Sequence, residues 1–509
     1  MKKNQVVICL IFCVLCIFSP FQLAAQTQTK KHLSLKLNAD SVIHQMKGGI
    51  GASWHTLIHE MPFDNTKYDF PASLVSPRGS AFAGNPPLAD TAAWKQLYKY
   101  ANWLGLNFVR VEMAQHMYEP KRNVFDWNND EMQTLYRILD WCEANHADVF
   151  LQQMWGQVEW NSFNGVHPLV SSPKSVDDFA NGIATMLKYL TLTKKYKCIK
   201  YFCMVNEPPG GTWGYWWSAG SYEGPTITDA WEALNKAFKR ENISIPISGP
   251  DWTDLPPCNP EKMKFDKYLS AFDIHSYHGI YSRKDGSKII NDWVKYAASK
   301  SKPFFVSEIG NMNLGWGRDN PAPKSFKASL SNASDIVLGM NLGVDGFNRW
   351  SFTNRGNLDG QWQLVKTYDI PSKTYLNNVQ PEKEAYYGYG MITRFMGKYV
   401  SILSTKSDQK LDGVIFTSYK NRDGNITILV VNNTKESVIL DIAVENANKK
   451  QAFYLYQVTE NILKTVDFKL NPVTKYKKSN ILNSVEILPE SITVLTTNGL
   501  RHENCGVIE

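Results

Sequence analysis

The sequence has few cysteines, and they follow no pattern. Three of the eight lie within the first 16 residues, and the other five are scattered through the chain at Cys142, Cys198, Cys203, Cys258 and Cys505. An odd number at irregular spacing argues against a disulfide framework, and no pair has the spacing of zinc ligands. Because Cys142, Cys198 and Cys203 stand in apolar surroundings, we expect them to be buried core residues.

Long apolar runs and tracts of basic residues are missing beyond the N-terminus. No segment there approaches the roughly 20 consecutive apolar residues that a membrane-spanning helix needs. The formal net charge of +7 is small for 509 residues. Lysine and arginine do not cluster as they do in nucleic-acid-binding proteins. These absences argue against a membrane span in the mature chain and against a nucleic-acid partner.

The N-terminus has the composition of a targeting segment. Two lysines precede an apolar run over residues 6–18, and the small-residue stretch "QLAAQTQ" follows. This order predicts a signal peptide over residues 1–25, cleaved after Ala25 or Gln26, and therefore an exported protein in the periplasm or at the cell exterior. Cys16 is an alternative lipoprotein acylation site, but "IFCVLC" lacks the small residues expected before the cysteine.

Strand-like and helix-like segments alternate from about residue 48 to 397. Eight short segments are rich in β-branched or aromatic residues and bounded by turn formers, at 48–54, 107–113, 148–155, 199–208, 245–252, 272–278, 303–310 and 345–352. Helical periods separate them, with a short fifth helix expected between Pro260 and Ala271. The alternation predicts an α/β fold, a (β/α)8 TIM barrel over residues 30–398.

The pattern changes after about residue 399. Period-two alternation and turn signals such as Asp423-Gly424 predict a smaller C-terminal antiparallel β-sandwich over residues 399–500. The short strand "LSLKLN" at 33–38 could add to the same sheet, although it precedes the barrel. We expect the sandwich to support the barrel and to hold no catalytic residue.

Two carboxylates stand at the predicted mouth of the barrel, where the chemistry of such folds lies. Asn206-Glu207 ends the fourth strand and Glu308 ends the seventh, so the two glutamates should face each other. Pro208 terminates the fourth strand and favours an extended backbone at Glu207. A facing carboxylate pair is the arrangement of glycoside hydrolysis. Other carboxylates near strand ends, which remain alternatives for the pair, are Glu112, Asp251 and Asp345.

Five motifs in chain order carry a family resemblance. They are "GLNFVRVE", "VNEP", "HSY", "SEIG" and "RWSF", on strands two, four, six, seven and eight. The set resembles the clan A glycoside hydrolases, and most of all the family 5 cellulases. The sandwich, entered through "EAYYGYGMITRFMGKYV", is more similar to families 30 and 39. The resemblance covers about residues 48–500. It implies a retaining O-glycosyl hydrolase that cleaves β-type linkages of a carbohydrate substrate, without a cofactor or metal.

The resemblance also implies roles for individual residues. Glu207 matches the general acid/base and Glu308 the nucleophile. Asn206 is expected to hydrogen-bond the sugar 2-hydroxyl, and Tyr277 to donate to Glu308. Arg110 is expected to favour the ionised form of Glu308 by its opposite charge. From the residues alone, the alternative is that Arg110 is an internal partner of a nearby carboxylate, Glu112 or Asp148.

Two further positions match the family, and one departs from it. His275 is expected to line the acid/base side of the site, and the alternative is a structural role. Trp350 is expected to form the floor under the reacting sugar, and the alternative is that it plugs the core. Family 5 usually has a histidine at the end of strand three, where this chain reads "FLQQMW". Gln153 or Trp155 would fill that space, which indicates a different subsite for the reacting sugar.

Tryptophans near strand ends are candidates for sugar stacking. Aromatic residues make up 13% of the chain, and their flat faces suit sugar rings. Trp213 and Trp216 lie in the aromatic segment "TWGYWWSAG" after strand four, Trp316 follows strand seven, and Trp54 ends strand one. For each of them, packing against neighbouring segments is the alternative interpretation.

Two other classes of protein remain to be distinguished. A non-catalytic carbohydrate-binding protein on the same barrel would lack one of the two glutamates, and both are present. A metal-dependent hydrolase would need a third ligand beside His55 and His59, and none is evident. The sugar, the choice between exo and endo action and the oligomeric state are not readable from the sequence.

Overall fold

The computed structural model describes most of the chain after the N-terminus. The described residues are 31–56, 84–155, 158–168, 170–208, 216, 225–315, 320–353, 361–369, 372, 374–447 and 451–499. The predicted signal peptide, Cys16 and Cys505 lie outside them. Among the helices of this described part, none is both long and apolar enough to cross a membrane.

The larger unit is a parallel sheet curved into a nearly closed barrel. Its strands are β2 (Ile50–Ala52), β3 (Trp54–His55), β4 (Phe108–Ala114), β5 (Asp148–Trp155), β6 (Ile199–Cys203), β7 (Ile247–Trp252), β8 (Ala271–Ser276), β9 (Phe304–Ile309) and β10 (Gly346–Arg349). β2 pairs with β10 and β3 pairs with β4. β2 and β3 are the two halves of the predicted first strand, and together they join the ends of the sheet. The predicted (β/α)8 barrel is confirmed.

Helices surround the barrel strands. The principal ones are α1 (Thr91–Leu104), α2 (Gln115–Tyr118), α3 (Asp130–Ala144), α4 (Val176–Lys188), α5 (Ile227–Glu241), α6 (Gly286–Ser299), α7 (Phe326–Leu342) and α8 (Lys383–Thr393). Several begin at a polar cap whose side chain accepts a backbone N–H, as Asp90, Asn129 and Ser175 do. The expected fifth helix is only two 3₁₀ turns, Pro260–Lys262 and Asp266–Tyr268.

The barrel interior is apolar at its N-terminal end. Phe108, Phe150 and Phe305 form an aromatic plug there, with the rings of Phe108 and Phe305 5.2 Å apart. Cys203 packs in the same cluster, and Cys142 and Cys198 are buried in the main core, as expected. Because this end is filled, polar inward-facing residues have room only toward the C-terminal ends of the strands.

The smaller unit is a mostly antiparallel sheet with its own core. Its strands are β1 (Lys31–Gln45), β13 (Ser401–Ser407), β14 (Val414–Lys420), β15 (Ile426–Asn432), β16 (Val438–Glu445), β17 (Gln451–Val458), β18 (Thr474–Ser479), β19 (Ile481–Ile487) and β20 (Ser491–Thr496). The predicted β-sandwich is confirmed. β1 pairs antiparallel with β13 and parallel with β16. The segment 33–38 therefore belongs to this sheet, while the predicted division at 398/399 stays a prediction.

Three smaller elements also belong to the described structure. A two-stranded sheet joins β11 (Val365–Asp369) to β12 (Thr374–Pro381), and α9 (Glu460–Leu463) lies in the sandwich. The sandwich packs on α7 and α8, where Asn341 donates to the Phe416 carbonyl at 2.8 Å. The ring of Phe395, just after α8, packs 4.7 Å from that of Tyr456. These contacts join the two units through a shared apolar interface.

Candidate active site

Charged side chains converge inside the C-terminal end of the barrel. They come from strands on every side and are almost entirely buried: His55, Arg110, Glu112, Glu207, Asp251, His275 and Glu308. Burying a charge is costly unless it is paired and hydrogen-bonded. The contacts among these residues therefore determine what each one can do.

Arg110 lies at the centre of the cluster. Its Nη1 donates to both Glu112 and Glu308, and its Nη2 donates to Asn206 at 2.9 Å and contacts Asp251 at 3.4 Å. Both interpretations of this arginine are therefore present, since it binds Glu308 and also an internal partner, Glu112. The other partner considered, Asp148, is bound at 2.9 Å by Lys398 instead.

Glu308 is held by two donors, the two that the family resemblance implies. Nη1 of Arg110 donates to Oε1 and the Tyr277 hydroxyl donates to Oε2. Burial raises the pKa of Glu308 to about 7, although His275 and Arg110 oppose the rise. Arg110 was expected to keep this carboxyl ionised, but its single charge is shared with Glu112 and Asp251. It therefore reduces the effect of burial without cancelling it.

Glu207 lies in the loop after β6 and faces Glu308. Its Oε1 is 2.8 Å from Nδ1 of His275, and the same nitrogen is 3.3 Å from Oε2 of Glu308. One oxygen of each glutamate and one His275 nitrogen all lie within 4.8 Å of one another. The side chain of Asn206 lies beside them, where its Oδ1 accepts a hydrogen bond from Arg110.

The backbone at Glu207 differs from our expectation. β6 ends at Cys203, before the predicted end of strand four, and Glu207 has a φ of +43°. The extended conformation inferred from Pro208 is therefore wrong. The left-handed backbone brings the amide of Glu207 to 3.4 Å from Oδ2 of Asp251. A residue with a side chain seldom adopts this conformation, so the surrounding contacts must hold it.

Asp251 lies beneath the two glutamates and is fully buried. Its oxygens are 3.0 Å from Nε2 of His275, 3.1 Å from the Ser307 hydroxyl and 3.3 Å from Nε2 of Gln152. Burial opposes its ionisation, but His275 and Arg110 hold the pKa of Asp251 well below its usual value. With no exposed oxygen, Asp251 does not meet the requirement for an acid or base that touches substrate.

A second buried aspartate supports Asp251 from below. Asp273 accepts from the hydroxyls of Ser248 at 2.7 Å and Ser307 at 2.9 Å. Burial raises the pKa of Asp273 well above its usual value, and the nearby charge of Asp251 raises it further. Asp273 is therefore the neutral partner beneath an ionised Asp251.

Glu112 and Asp345 were the other two alternatives for the catalytic pair, and the structure shows the position of each. Glu112 is fully buried and bound by Arg110 and His55. Asp345 precedes β10, at the opposite end of the barrel, where it accepts from the amides of Lys47 at 3.0 Å and Phe304 at 2.9 Å. Asp345 therefore cannot take part in chemistry at the mouth, because it lies at the N-terminal end of its strand.

Trp54 was predicted to stack on a sugar, and this prediction is wrong. Its side chain is fully buried among Phe352, Trp141 and Tyr98, with the Phe352 ring 4.7 Å away. Its indole nitrogen donates to Asn85 at 2.7 Å. Period-two alternation explains the error: along β3 the side chain of Trp54 points outward to the helices.

The other predicted aromatic residues divide into three groups. Trp216 is 5% exposed, packs against Phe179 and donates to the Pro225 carbonyl at 2.9 Å, which favours the packing interpretation. Trp350 lies at the mouth with its ring edge-to-face at 5.2 Å from His55, and its role as a sugar floor stays a prediction. Trp213 and Trp316 lie outside the described residues.

At the end of strand three, this chain has Gln152 and Gln153 in the region where family 5 usually has a histidine. Gln153 is fully buried and accepts a hydrogen bond from the Tyr118 hydroxyl at 2.6 Å. Gln152, its neighbour, contacts Asp251. The side chain of Trp155 lies outside the described set. The two glutamines therefore make hydrogen bonds with other side chains inside the barrel.

Sequence reasoning missed several residues of this site. His55 was considered only as a metal ligand with His59, which lies outside the described residues, yet His55 contacts Glu112 inside the barrel. Trp362 packs edge-on against Tyr277 at 5.6 Å. Arg349 donates to the Trp362 carbonyl at 2.6 Å, which holds that segment in place. The position of His55 beside Trp54 at a strand end was a usable signal, whereas the Trp362 loop has no motif.

Among the residues that the structure describes, two groups of side chains each bring three candidate metal-ligand atoms together. One is Glu207, His275 and Glu308, and the other is Cys203, Asp251 and Asp273. The carboxylates of both groups are engaged with Arg110, His275 or serine hydroxyls. The arrangement is that of a hydrogen-bonded network with two facing carboxylates, suited to proton transfer and nucleophilic attack.

Comparison with protein-family models identifies a family for this chain. Residues 69–338, more than half of the chain, match the family model described as cellulase (glycosyl hydrolase family 5). No curated protein sequence matches the chain.

Solved structures resemble nearly the whole chain. The catalytic domain of a family 30 xylanase C from Talaromyces cellulolyticus is 14% identical, with a TM-score of 0.60 over 91% of this chain and 99% of that one. A conserved exported protein from Bacteroides fragilis is 14% identical, with a TM-score of 0.61 over 91% and 100%. An endo-β1,6-glucanase is 13% identical, with a TM-score of 0.60 over 93% and 95%. At these identities the likeness shows the fold alone.

Proposed function

Because the chain belongs to glycosyl hydrolase family 5, we propose that this O-glycosyl hydrolase is a retaining enzyme with Glu308 as nucleophile and Glu207 as general acid/base. Its substrate is a glycan or oligosaccharide with β-type linkages, and cleavage proceeds by double displacement. The predicted signal peptide supports export of the protein to the periplasm or the cell exterior.

The short distance between the two glutamates carries this proposal. One oxygen of Glu207 and one of Glu308 lie within 4.8 Å of each other. Retaining enzymes hold their carboxyl groups about 5–5.5 Å apart, whereas inverting enzymes need roughly 6.5–9.5 Å to admit a water molecule. The separation supports direct attack by a carboxylate on the sugar.

Each step then follows from the contacts of the two side chains. Ionised Glu308 attacks the anomeric carbon, the glycosidic C–O bond breaks, and Glu207 gives its proton to the leaving oxygen. Water then attacks the glycosyl-enzyme while Glu207 takes its proton, and Glu308 leaves as a carboxylate. Arg110 and Tyr277 already donate to Glu308, so they stabilise its charge whenever it is released.

Asn206 is suited to contact the sugar beside the anomeric carbon. Its Oδ1 accepts from Nη2 of Arg110 at 2.9 Å. Its amide nitrogen is therefore the end directed away from the arginine, and it is a donor. This arrangement supports the expected hydrogen bond to the 2-hydroxyl of the reacting sugar, a bond that strengthens in the transition state.

The family and the names of two structural neighbours suggest which substrates to test first. Two structural neighbours are named as a xylanase and an endo-β1,6-glucanase. We therefore propose a β-linked polysaccharide or a fragment of one, and xylan and β1,6-glucan are the first substrates to test. A panel of aryl β-glycosides alongside them would identify the reacting sugar.

Chemical rescue tests the assignment of Glu207. Glu207→Ala should still be glycosylated by substrates with good leaving groups, and added azide should restore turnover and yield a β-glycosyl azide. Glu143→Ala is a matched control, since this glutamate lies at the far end of α3 and accepts from the amides of Lys197 and Cys198. Its turnover should be unaffected by azide. Failure of azide to rescue Glu207→Ala would exclude this acid/base.

A further inference from the structure

Asp251 contacts three parts of the proposed catalytic apparatus. It touches His275, which faces Glu207, and the backbone amide of Glu207 itself. It also contacts Arg110, which binds Glu308. None of these contacts reaches the substrate, because Asp251 is fully buried.

We propose that Asp251 is a positioning residue that acts through His275: it keeps the ring protonated and oriented so that Nδ1–H donates to Oε1 of Glu207. This inference rests on the proposed role of Glu207 as the acid/base. The donated hydrogen bond stabilises the carboxylate that forms when Glu207 gives its proton to the leaving oxygen. Departure of a poor leaving group is the step that needs this help.

The geometry of His275 supports a protonated ring. Nδ1 lies 2.8 Å from Glu207 and Nε2 lies 3.0 Å from Asp251, so both ring nitrogens face carboxylate oxygens. A neutral imidazole has only one N–H to donate, whereas an imidazolium has two. The charged groups around the ring are Glu207, Asp251 and Glu308, with Arg110 behind them.

The charge balance around the ring agrees with this geometry. Burial opposes the charged form of His275, but Glu308, Asp251 and Glu207 together raise its pKa well above the usual value. The phenol of Tyr277 is a further titratable neighbour, with its ring 6.5 Å from the imidazole. Burial raises the pKa of Tyr277 well above its usual value, so it stays neutral.

Asp251 is itself held in an unusual conformation. Its φ is +57°, in the left-handed region that non-glycine residues seldom occupy. Ser307 bridges it to Asp273 below, and Ser248 fixes Asp273 in turn. A supporting layer that holds one carboxylate in a strained backbone position is what a preorganised site requires.

Leaving-group dependence tests the proposal. In Asp251→Asn, kcat/KM on aryl glycosides with poor leaving groups should fall by roughly 10²-fold, the scale of general acid catalysis. Dinitrophenyl glycosides of the same sugar need little protonation, and their hydrolysis should fall far less. An equal loss on both classes, or no loss on either, would overturn the proposal and leave Asp251 a structural residue.

A spectroscopic measurement does not depend on activity. ¹⁵N NMR of the folded wild-type protein should show His275 as an imidazolium at pH 7, with the signal assigned by its disappearance in His275→Gln. The same signal in Asp251→Asn should change to neutral imidazole at a lower pH. A neutral His275 in the wild type at pH 7 would overturn the proposal even if Asp251→Asn failed to fold.

Two comparisons separate this proposal from others. Asp345→Asn changes a buried aspartate at the opposite end of the barrel, bound to backbone amides and His44. It should lower the melting temperature without altering leaving-group dependence. If azide rescues Glu207→Ala but Asp251→Asn shows no leaving-group effect, the further inference fails and the proposed function stands. If azide does not rescue Glu207→Ala, the proposed function fails first.

Discussion

The two ends of the barrel interior are built from the same strands but hold opposite kinds of side chain. Along β4, Phe108, Arg110 and Glu112 all face inward, in that order from the N-terminal to the C-terminal end. The phenylalanine packs in an aromatic plug, and the other two belong to the charged network. One strand therefore supplies stability at one end and chemistry at the other.

The difference lies in what each end loses when a side chain changes. In the plug, each ring needs only close neighbours, so the loss of one leaves a cavity. In the charged network, one arginine is shared by Glu112, Asp251 and Glu308. Removing one partner there changes the protonation and position of the others. The two ends should therefore respond differently to comparable substitutions.

The largest expected effect is at the charged end. Glu308→Gln should reduce turnover on the order of 10⁴-fold or more on every substrate, because it removes the nucleophile. Folding raises the pKa of Glu308 from 4.5 to about 7, so stability is lost as pH rises from 4.5 through 7, and the whole cost is present at pH 8. The variant should therefore melt no lower than the wild type at pH 8. Melting curves and kinetics on one preparation would check both, and a destabilised variant with residual turnover would refute this account.

The aromatic end should show the reverse. Phe305→Ala should lower the free energy of unfolding by about 3–5 kcal/mol, since Phe305 is fully buried and packs on Phe108 and Tyr201. Enzyme that remains folded in the cold should keep a near-normal kcat. Denaturant titration and kinetics at low temperature provide the measurement. A large loss of kcat in folded protein would mean that the two ends are not separable.

The smallest expected effect is that of pH on the free enzyme. Because Glu308 must be ionised to attack and burial raises its pKa to about 7, kcat/KM should fall as pH drops below 7. The fall should approach about tenfold per pH unit, equal to about 1.4 kcal/mol. A pH profile between 4 and 9 would show it. A flat profile down to pH 5 would mean that Arg110 and His275 outweigh burial.

Much of this architecture could be predicted because it follows from periodicity. Eight alternating strand and helix segments predict a closed barrel, and the C-terminal ends of its strands meet at one face. Glu207 and Glu308 therefore had to lie near each other. The tyrosine two residues after His275 had to share its side of the chain, and Tyr277 does donate to Glu308.

Other features depended on local geometry that the sequence does not display. The segment "ISGPDW" shows a carboxylate on β7, but its inward position beneath the glutamates depends on a left-handed backbone at Asp251. Trp54 follows a split in the first strand, so its outward direction was not apparent. The sharing of Arg110 among three carboxylates required side chains from three strands to be placed first.

Stereochemistry is the most direct test of the central claim, that Glu207 and Glu308 act as a retaining pair. NMR of the hydrolysis of an aryl β-glycoside in its first seconds would identify the anomer released before mutarotation. The short separation of the two carboxylates predicts the β-anomer, formed through a glycosyl-enzyme on Glu308. Initial release of the α-anomer would contradict the account, because it would require a water molecule between the two glutamates in place of covalent attack.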